Sequence, residues 1–287
     1  MNFLKKGLDG FTIKVLALIF MTIDHTVQYL IPMNPRNKIM MIFIILGRIS
    51  APLFLFMATQ GLIHTKSKYK YVLRLYVAAV ICSIFNSIFS HIFLPSSSYI
   101  GNMIFTFFYL GIVVLILENI RTYFKNKNLR VLIITAFLLL FIVVSSLWPW
   151  IFYERYYDYI PENMMNIIVI VQKTFIPSIL KVDYTVFFVL LGVIWYYIDN
   201  SKINSIIFFI FSIINILLQG KLPGSPYIDL GSLSNVTLQH YMIFATPFIY
   251  LYNGKKGRSF KYFFYIYYPL HQYLLFLIGI FFLNKTY

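Results

Sequence analysis

The sequence predicts an all-α, polytopic transmembrane helix bundle of about nine spans, and three observations carry that reading. Of the 287 residues, 60% are hydrophobic and only 11% charged, with a mean hydropathy of +0.77. A water-soluble domain carries about a quarter charged residues, so an ordinary soluble enzyme is excluded, and the aromatic share of 20% excludes a disordered chain. Apolar runs long enough to cross a bilayer recur along the whole chain. Lys and Arg gather in alternate links between those runs, as cytoplasmic loops do.

The runs lie near 11–31, 39–63, 71–94, 100–118, 129–148, 183–199, 203–219, 236–252 and 262–283. The first has a basic head like a signal peptide, but no small-residue cleavage site follows it, so it reads as a retained helix. Lys5, Lys6 and Lys14 precede or open it. The link after the second run holds Lys66, Lys68, Lys70 and Arg74, and the link after the fourth holds Arg121, Lys125, Lys127 and Arg130. One crossing per run puts these three segments on one side, which the positive-inside rule makes cytoplasmic, with the N-terminus. The late basic loop of Lys255, Lys256, Arg258 and Lys261 joins that side only if 162–180 does not cross. That stretch is interrupted by Gln172, Lys173 and Pro177, so 150–182 is expected to be an external interfacial or re-entrant insertion in a single domain over 1–287. Glu154, Asp158 and Glu162 beside Trp148 and Trp150 suit an interface. A ten-span chain is the alternative.

The net charge of +15 needs no nucleic acid, because cationic loops of a membrane protein account for it. Cys82 is the single cysteine, which leaves no internal disulfide and no multi-cysteine metal site.

Ionisable groups inside the runs cost at least ~2.5 kcal/mol each to insert, so each needs a partner or a role. Asp24 and His25 sit in the first run, Arg48 in the second, and His271 in the last, just after Pro269. Asp24 and Arg48 alone would read as a buried ion pair that fixes packing. His25 points about 100° away from Asp24, so such a pair leaves it unexplained. Two histidines with a carboxylate favour acid–base chemistry, since imidazole takes and gives protons near neutrality. His271 is the preferred base, because Pro269 loosens its helix, and His25 the preferred packing partner. At the basic edge, Lys70, Tyr71 and Arg74, with Lys255 and Arg258 of the late loop, suit an anionic cofactor. A solvated basic loop is the plain alternative.

The stretches KVLALIFMTIDHTVQYL, LGRISAPLFLFMATQGLIHTKSKYKYVLRL, GNMIFTFFYLG, VDYTVFFVLLGVIWYYID and YLYNGKKGRSFKYFFYIYYPLHQYLLFL together resemble the TraX family of bacterial inner-membrane proteins. The resemblance runs in order over most of the chain and is poor over 129–182. Ser50-Ala51-Pro52 departs mildly from the family motif, and Gln60 stands where an acidic residue is common. The family is named for a conjugation protein that acetylates a pilin N-terminus. The resemblance therefore implies a multi-pass acyltransferase of the bacterial cytoplasmic membrane. It would move an acetyl group from acetyl-CoA to an amine or hydroxyl of a membrane-associated peptide, protein N-terminus or glycan. It implies roles for Asp24, His25, Arg48, Arg74 and His271. A proton-coupled transporter built on the same buried groups is the alternative, though paired halves with matching broken helices are not evident.

Overall fold

A computed structural model describes residues 6–30, 38–93, 101–151, 159–183, 185–218, 238–258 and 260–283. Lys5, Glu154 and Asp158 lie outside them. The described chain is helical throughout, with one isolated β-bridge between Leu8 and Tyr252. In order, the α-helices are α1 (Gly10–Leu30), α2 (Lys38–Gly47), α3 (Ser50–His64), α4 (Lys68–Phe93), α5 (Ile104–Asn126) and α6 (Leu129–Trp150). They continue with α7 (Glu162–Phe175), α8 (Thr185–Ile198), α9 (Ser201–Leu218), the short α10 (Thr246–Tyr250) and α11 (Lys261–Leu283).

Among the described residues, six helical stretches are long and apolar enough to cross a membrane, with α2 and α3 together forming one of them, Lys38–His64. Three shorter apolar helices, Met164–Phe175, Val186–Ile198 and Ser201–Leu217, add to them. The protein is a multi-pass helical membrane protein, with about nine apolar segments rather than nine uninterrupted spans.

Two of the expected runs are broken, and in one of them the sequence supplies the reason. The run 236–252 is a 3₁₀ segment, Leu238–Ala245, followed by α10. Pro247 has no N–H to donate to the carbonyl of Ile243, and the Thr246 hydroxyl donates to that carbonyl instead, at 2.7 Å. The run 39–63 breaks at Arg48–Ile49, where the Ile49 amide turns to the carbonyl of Leu46, at 3.2 Å, in 3₁₀ fashion. The segment 162–180 also contains a helix, α7. It stops before Pro177, with Ile176 driven out of the helical region to φ −136°, as a residue before proline tends to be.

The chain forms two compact units, Met1–Gly61 with Tyr197–Tyr287, and Leu62–Tyr196. In the second, α5 packs against α4 and α6, and α7 lies on α4. The Tyr76 phenol donates to the carbonyl of Phe175 at 3.0 Å, and the Tyr109 phenol meets the Pro177 carbonyl. These bonds tie the 162–180 segment to the bundle. On α6, Ile133, Phe137, Leu140 and Val144 form an exposed stripe at helical spacing, while Thr135 and Ser145 are buried. An apolar outside with small polar groups inside is the pattern a lipid solvent imposes.

In the first unit, α1 packs against α2 and α11. Asp24 of α1 lies against Gly47 of α2, where a Cβ would collide with the Asp24 side chain. Gly47→Ala is therefore expected to destabilise the protein by about 1–3 kcal/mol through overpacking. Thermal unfolding in detergent, compared with the parent protein, measures the difference.

Candidate functional site

Helices α1 and α11 carry the paired histidines. Thr22, His25 and Thr26 of α1 fall within little more than one turn, so they share a side of the helix. On α11, Pro269 removes a backbone donor and disturbs the preceding turn. His271 turns its own Nδ1 to the carbonyl of Tyr267, at 2.8 Å. Its Nε2 meets Nδ1 of His25 at 2.7 Å. The rings lie 4.9 Å apart and tilted by only 21°, and the Tyr267 ring also stacks on His271, at 5.1 Å. His271 is buried, and Gln272 beside it places its amide 3.4 Å from Nε2 of His25.

These contacts fix where the protons sit. A carbonyl only accepts, so the Tyr267 contact requires a proton on His271 Nδ1. Neutral His271 then has its lone pair on Nε2, and His25 must donate to it from Nδ1. Neutral His25 is left with its own lone pair on Nε2, facing only the long contact from the Gln272 amide. Both nitrogens of His271 are thus engaged, and the less engaged nitrogen of the pair is His25 Nε2. The loosened helix at Pro269 does not decide which nitrogen is already bonded.

Asp24 and Arg48 do not form an ion pair: among the described residues, the pair within 4.0 Å is Lys68–Glu118, at 3.0 Å. Arg48 acts on Asp24 and on His25 through its charge. Its Nε is buried and has no hydrogen-bond partner. Arg48 sits at the break between α2 and α3, where the chain carries a cation beside the histidine pair without saturating it. Asp24, His25, Arg48 and His271 all belong to the first unit.

The expected cofactor residues fall into two groups. Lys255 and Arg258 are exposed on a loop of the first unit, whose backbone is clamped to the chain's start. Leu8 donates to the Leu251 carbonyl at 2.7 Å, Asn253 to the Leu8 carbonyl at 2.9 Å, and Gly10 to the Lys255 carbonyl at 2.8 Å. Gly254 and Gly257 take φ of +77° and +68°, which the loop needs and side chains resist. Asp9 caps α1 by accepting from the Thr12 amide at 2.8 Å, and that bond, helped by the charge of Arg258, holds its carboxyl below the usual carboxylate range. Lys70, Tyr71 and Arg74 stand on the first turns of α4, in the second unit. There the Arg74 guanidinium lies 5.9 Å from the centre of the Tyr71 ring.

The sequence reading missed Gln272 and Tyr267. Gln272 was visible as an amide adjacent to His271, but the carbonyl of Tyr267 is a backbone group and leaves no trace in residue type. It also missed the contacts at the start of α4, where Lys68 and Tyr196 both hold Glu118 and the Tyr69 phenol donates to Asn119 Oδ1 at 2.6 Å.

The TraX protein family model matches residues 9–152 and 157–279, which include every one of these site residues. No curated protein and no solved structure matches the chain.

Proposed function

The chain belongs to the TraX family, and from that premise we propose that it is a membrane-embedded acyltransferase moving an acetyl group from acetyl-CoA to an amine or hydroxyl. The hydrogen-bonded pair of His25 and His271 is the single observation that carries this reading. We place the protein in the bacterial cytoplasmic membrane with its N-terminus inside, so that a cytoplasmic thioester meets the cationic loops. The acceptor is a membrane-associated molecule, and nucleic acid is no partner.

In this scheme the acceptor nitrogen or oxygen attacks the thioester carbonyl carbon. A C–N or C–O bond forms and the C–S bond breaks. The acceptor's proton passes to His25 Nε2, and His271 accepts from Nδ1 of the resulting imidazolium, spreading the charge over both rings. The departing CoA sulfur takes that proton back, which leaves the pair neutral for the next turnover. Arg48, with an unspent buried donor, stabilises the oxyanion that develops on the carbonyl oxygen. Asp24 offsets the added positive charge beside the imidazoles. Lys255 and Arg258 are one candidate hold on the phosphates of acetyl-CoA, and Lys70 and Arg74, with Tyr71, are another.

The test uses purified full-length protein in lipid nanodiscs, radiolabelled acetyl-CoA, and a membrane extract as the pool of acceptors. Label is expected to pass from acetyl-CoA to the extract, and the double variant His25→Ala/His271→Ala is expected to abolish the passage. Undiminished transfer by the double variant removes the reading. A proton-coupled permease would use the same bonded pair as a relay, and histidine-dependent proton flux in liposomes without acetyl transfer would select it.

A further inference from the structure

Along α1, beside the histidine pair, lies a cavity of about 480 Å³ lined by one face of that helix together with Phe43 of α2 and Phe263 and Tyr267 of α11. Its volume is in the range of small-molecule sites. The α1 face contributes Val15, Leu18 and Ile19 at one end and Thr22, Ile23 and Thr26 toward the other. Its polar groups are therefore three hydroxyls in an otherwise hydrocarbon wall.

Each of those hydroxyls has already spent its proton. Thr22 donates to the Leu18 carbonyl at 2.8 Å, and Thr26 donates to the Thr22 carbonyl at 2.7 Å. Tyr267 and Thr22 share a bond of 2.8 Å, and because the Thr22 proton is directed at Leu18, the phenol must be its donor. What the three oxygens still offer is lone pairs. A guest here meets acceptors and no donors, so its polar group must itself donate, as a hydroxyl or amine does. A carboxylate or phosphate, which only accepts, would be desolvated without compensation.

The volume narrows the guest further. A single hydrocarbon chain with a small head fits a space of this size. The polar end adjoins the candidate base, since Thr26 follows His25 and the Tyr267 ring stacks on His271.

We propose that this groove seats a single-chain amphiphile whose head donates hydrogen bonds through a hydroxyl or amine, the head at Thr22, Thr26 and Tyr267 and the chain along Val15 to Ile19. Under the acyltransferase reading, on which this last step rests, that guest is the acceptor, and Tyr267 is the wall between its head and the histidines. The binding itself does not depend on that reading.

The experiment uses the full chain in nanodiscs and two photoreactive probes, hexadecan-1-ol and hexadecanoic acid, each with a diazirine at mid-chain. The alcohol is expected to label peptides within residues 10–30 and to be displaced by unlabelled hexadecan-1-ol. The acid should label at least tenfold less. Ile19→Trp, which fills the groove, and Tyr267→Phe, which removes an acceptor, should each cut alcohol labelling severalfold, with thermal unfolding showing that both variants fold. Equal labelling by alcohol and acid, or labelling unmoved in both folded variants, would mean that ordinary bilayer lipid covers this face and would overturn the proposal. Selective labelling without acetyl transfer to the alcohol would uphold the groove and count against the acyltransferase reading instead.

Discussion

His25→Ala is expected to lower the single-turnover rate of acetyl transfer by ~10²–10⁴-fold, the usual contribution of a positioned base, while acetyl-CoA still binds. The argument rests on proton positions. The Tyr267 carbonyl takes one nitrogen of His271 and His25 takes the other, so the least engaged lone pair is that of His25 Nε2, which faces the Gln272 amide at 3.4 Å. His271 is then a positioning residue, which fixes the tautomer of His25 and shares the charge once a proton arrives. Its loss should cost less, about 10–100-fold, as for groups that orient a functional histidine. His271→Gln discriminates orientation from packing, because the amide oxygen can still accept from His25 Nδ1 and should recover much of the rate that His271→Ala loses. Rates for the three variants, normalised to folded protein, check the order. A larger loss for His271→Ala than for His25→Ala would move the base to α11.

Most of the architecture was legible in the sequence because hydrocarbon solvent leaves few choices: an apolar segment in a bilayer must bond its own backbone, and the helix does so. Apolar runs therefore mapped onto helices almost one for one. The exceptions occurred where a single residue altered the local bonding. Pro247 converts the eighth run into a 3₁₀ segment with a short α-helix, because Thr246 takes over the carbonyl that proline cannot reach. The break at Arg48–Ile49 carries no such marker, since Gly47 is used for close approach to Asp24 rather than for an unusual backbone angle.

The site was legible in its members and illegible in its wiring. Asp24, His25, Arg48 and His271 stand out because each is costly in an apolar run. Which of them touch is decided by helix rotation and crossing, which residue type does not encode. Asp24 and Arg48, paired on charge alone, are not bonded to each other, while the two histidines, 246 positions apart, are. The cofactor residues illustrate the opposite case. Lys70, Tyr71 and Arg74 were grouped with Lys255 and Arg258 by charge and by side of the membrane, yet they belong to separate compact units.

Arg48→Met should separate function from stability more sharply than any other change. If Arg48 were half of a structural ion pair, its removal would strand a buried carboxylate and cost about 3–5 kcal/mol. The guanidinium has no carboxylate within 4.0 Å, and its buried Nε has no hydrogen-bond partner, so that N–H carries a desolvation penalty that no hydrogen bond offsets. Replacing it with an apolar side chain of similar length should leave the thermal midpoint unchanged or raise it. Catalysis should respond in the opposite sense, because an unspent donor is what a developing oxyanion requires. Loss of such a donor typically costs about 10²–10³-fold in kcat. Arg48→Lys keeps the charge but not the planar array of N–H groups, and should fall between the two. The decisive comparison is the unfolding midpoint and the transfer rate measured on one preparation of each variant. A fall in both would make Arg48 a packing residue, whereas a slower enzyme of equal or greater stability is the signature of a donor held in reserve for the reaction.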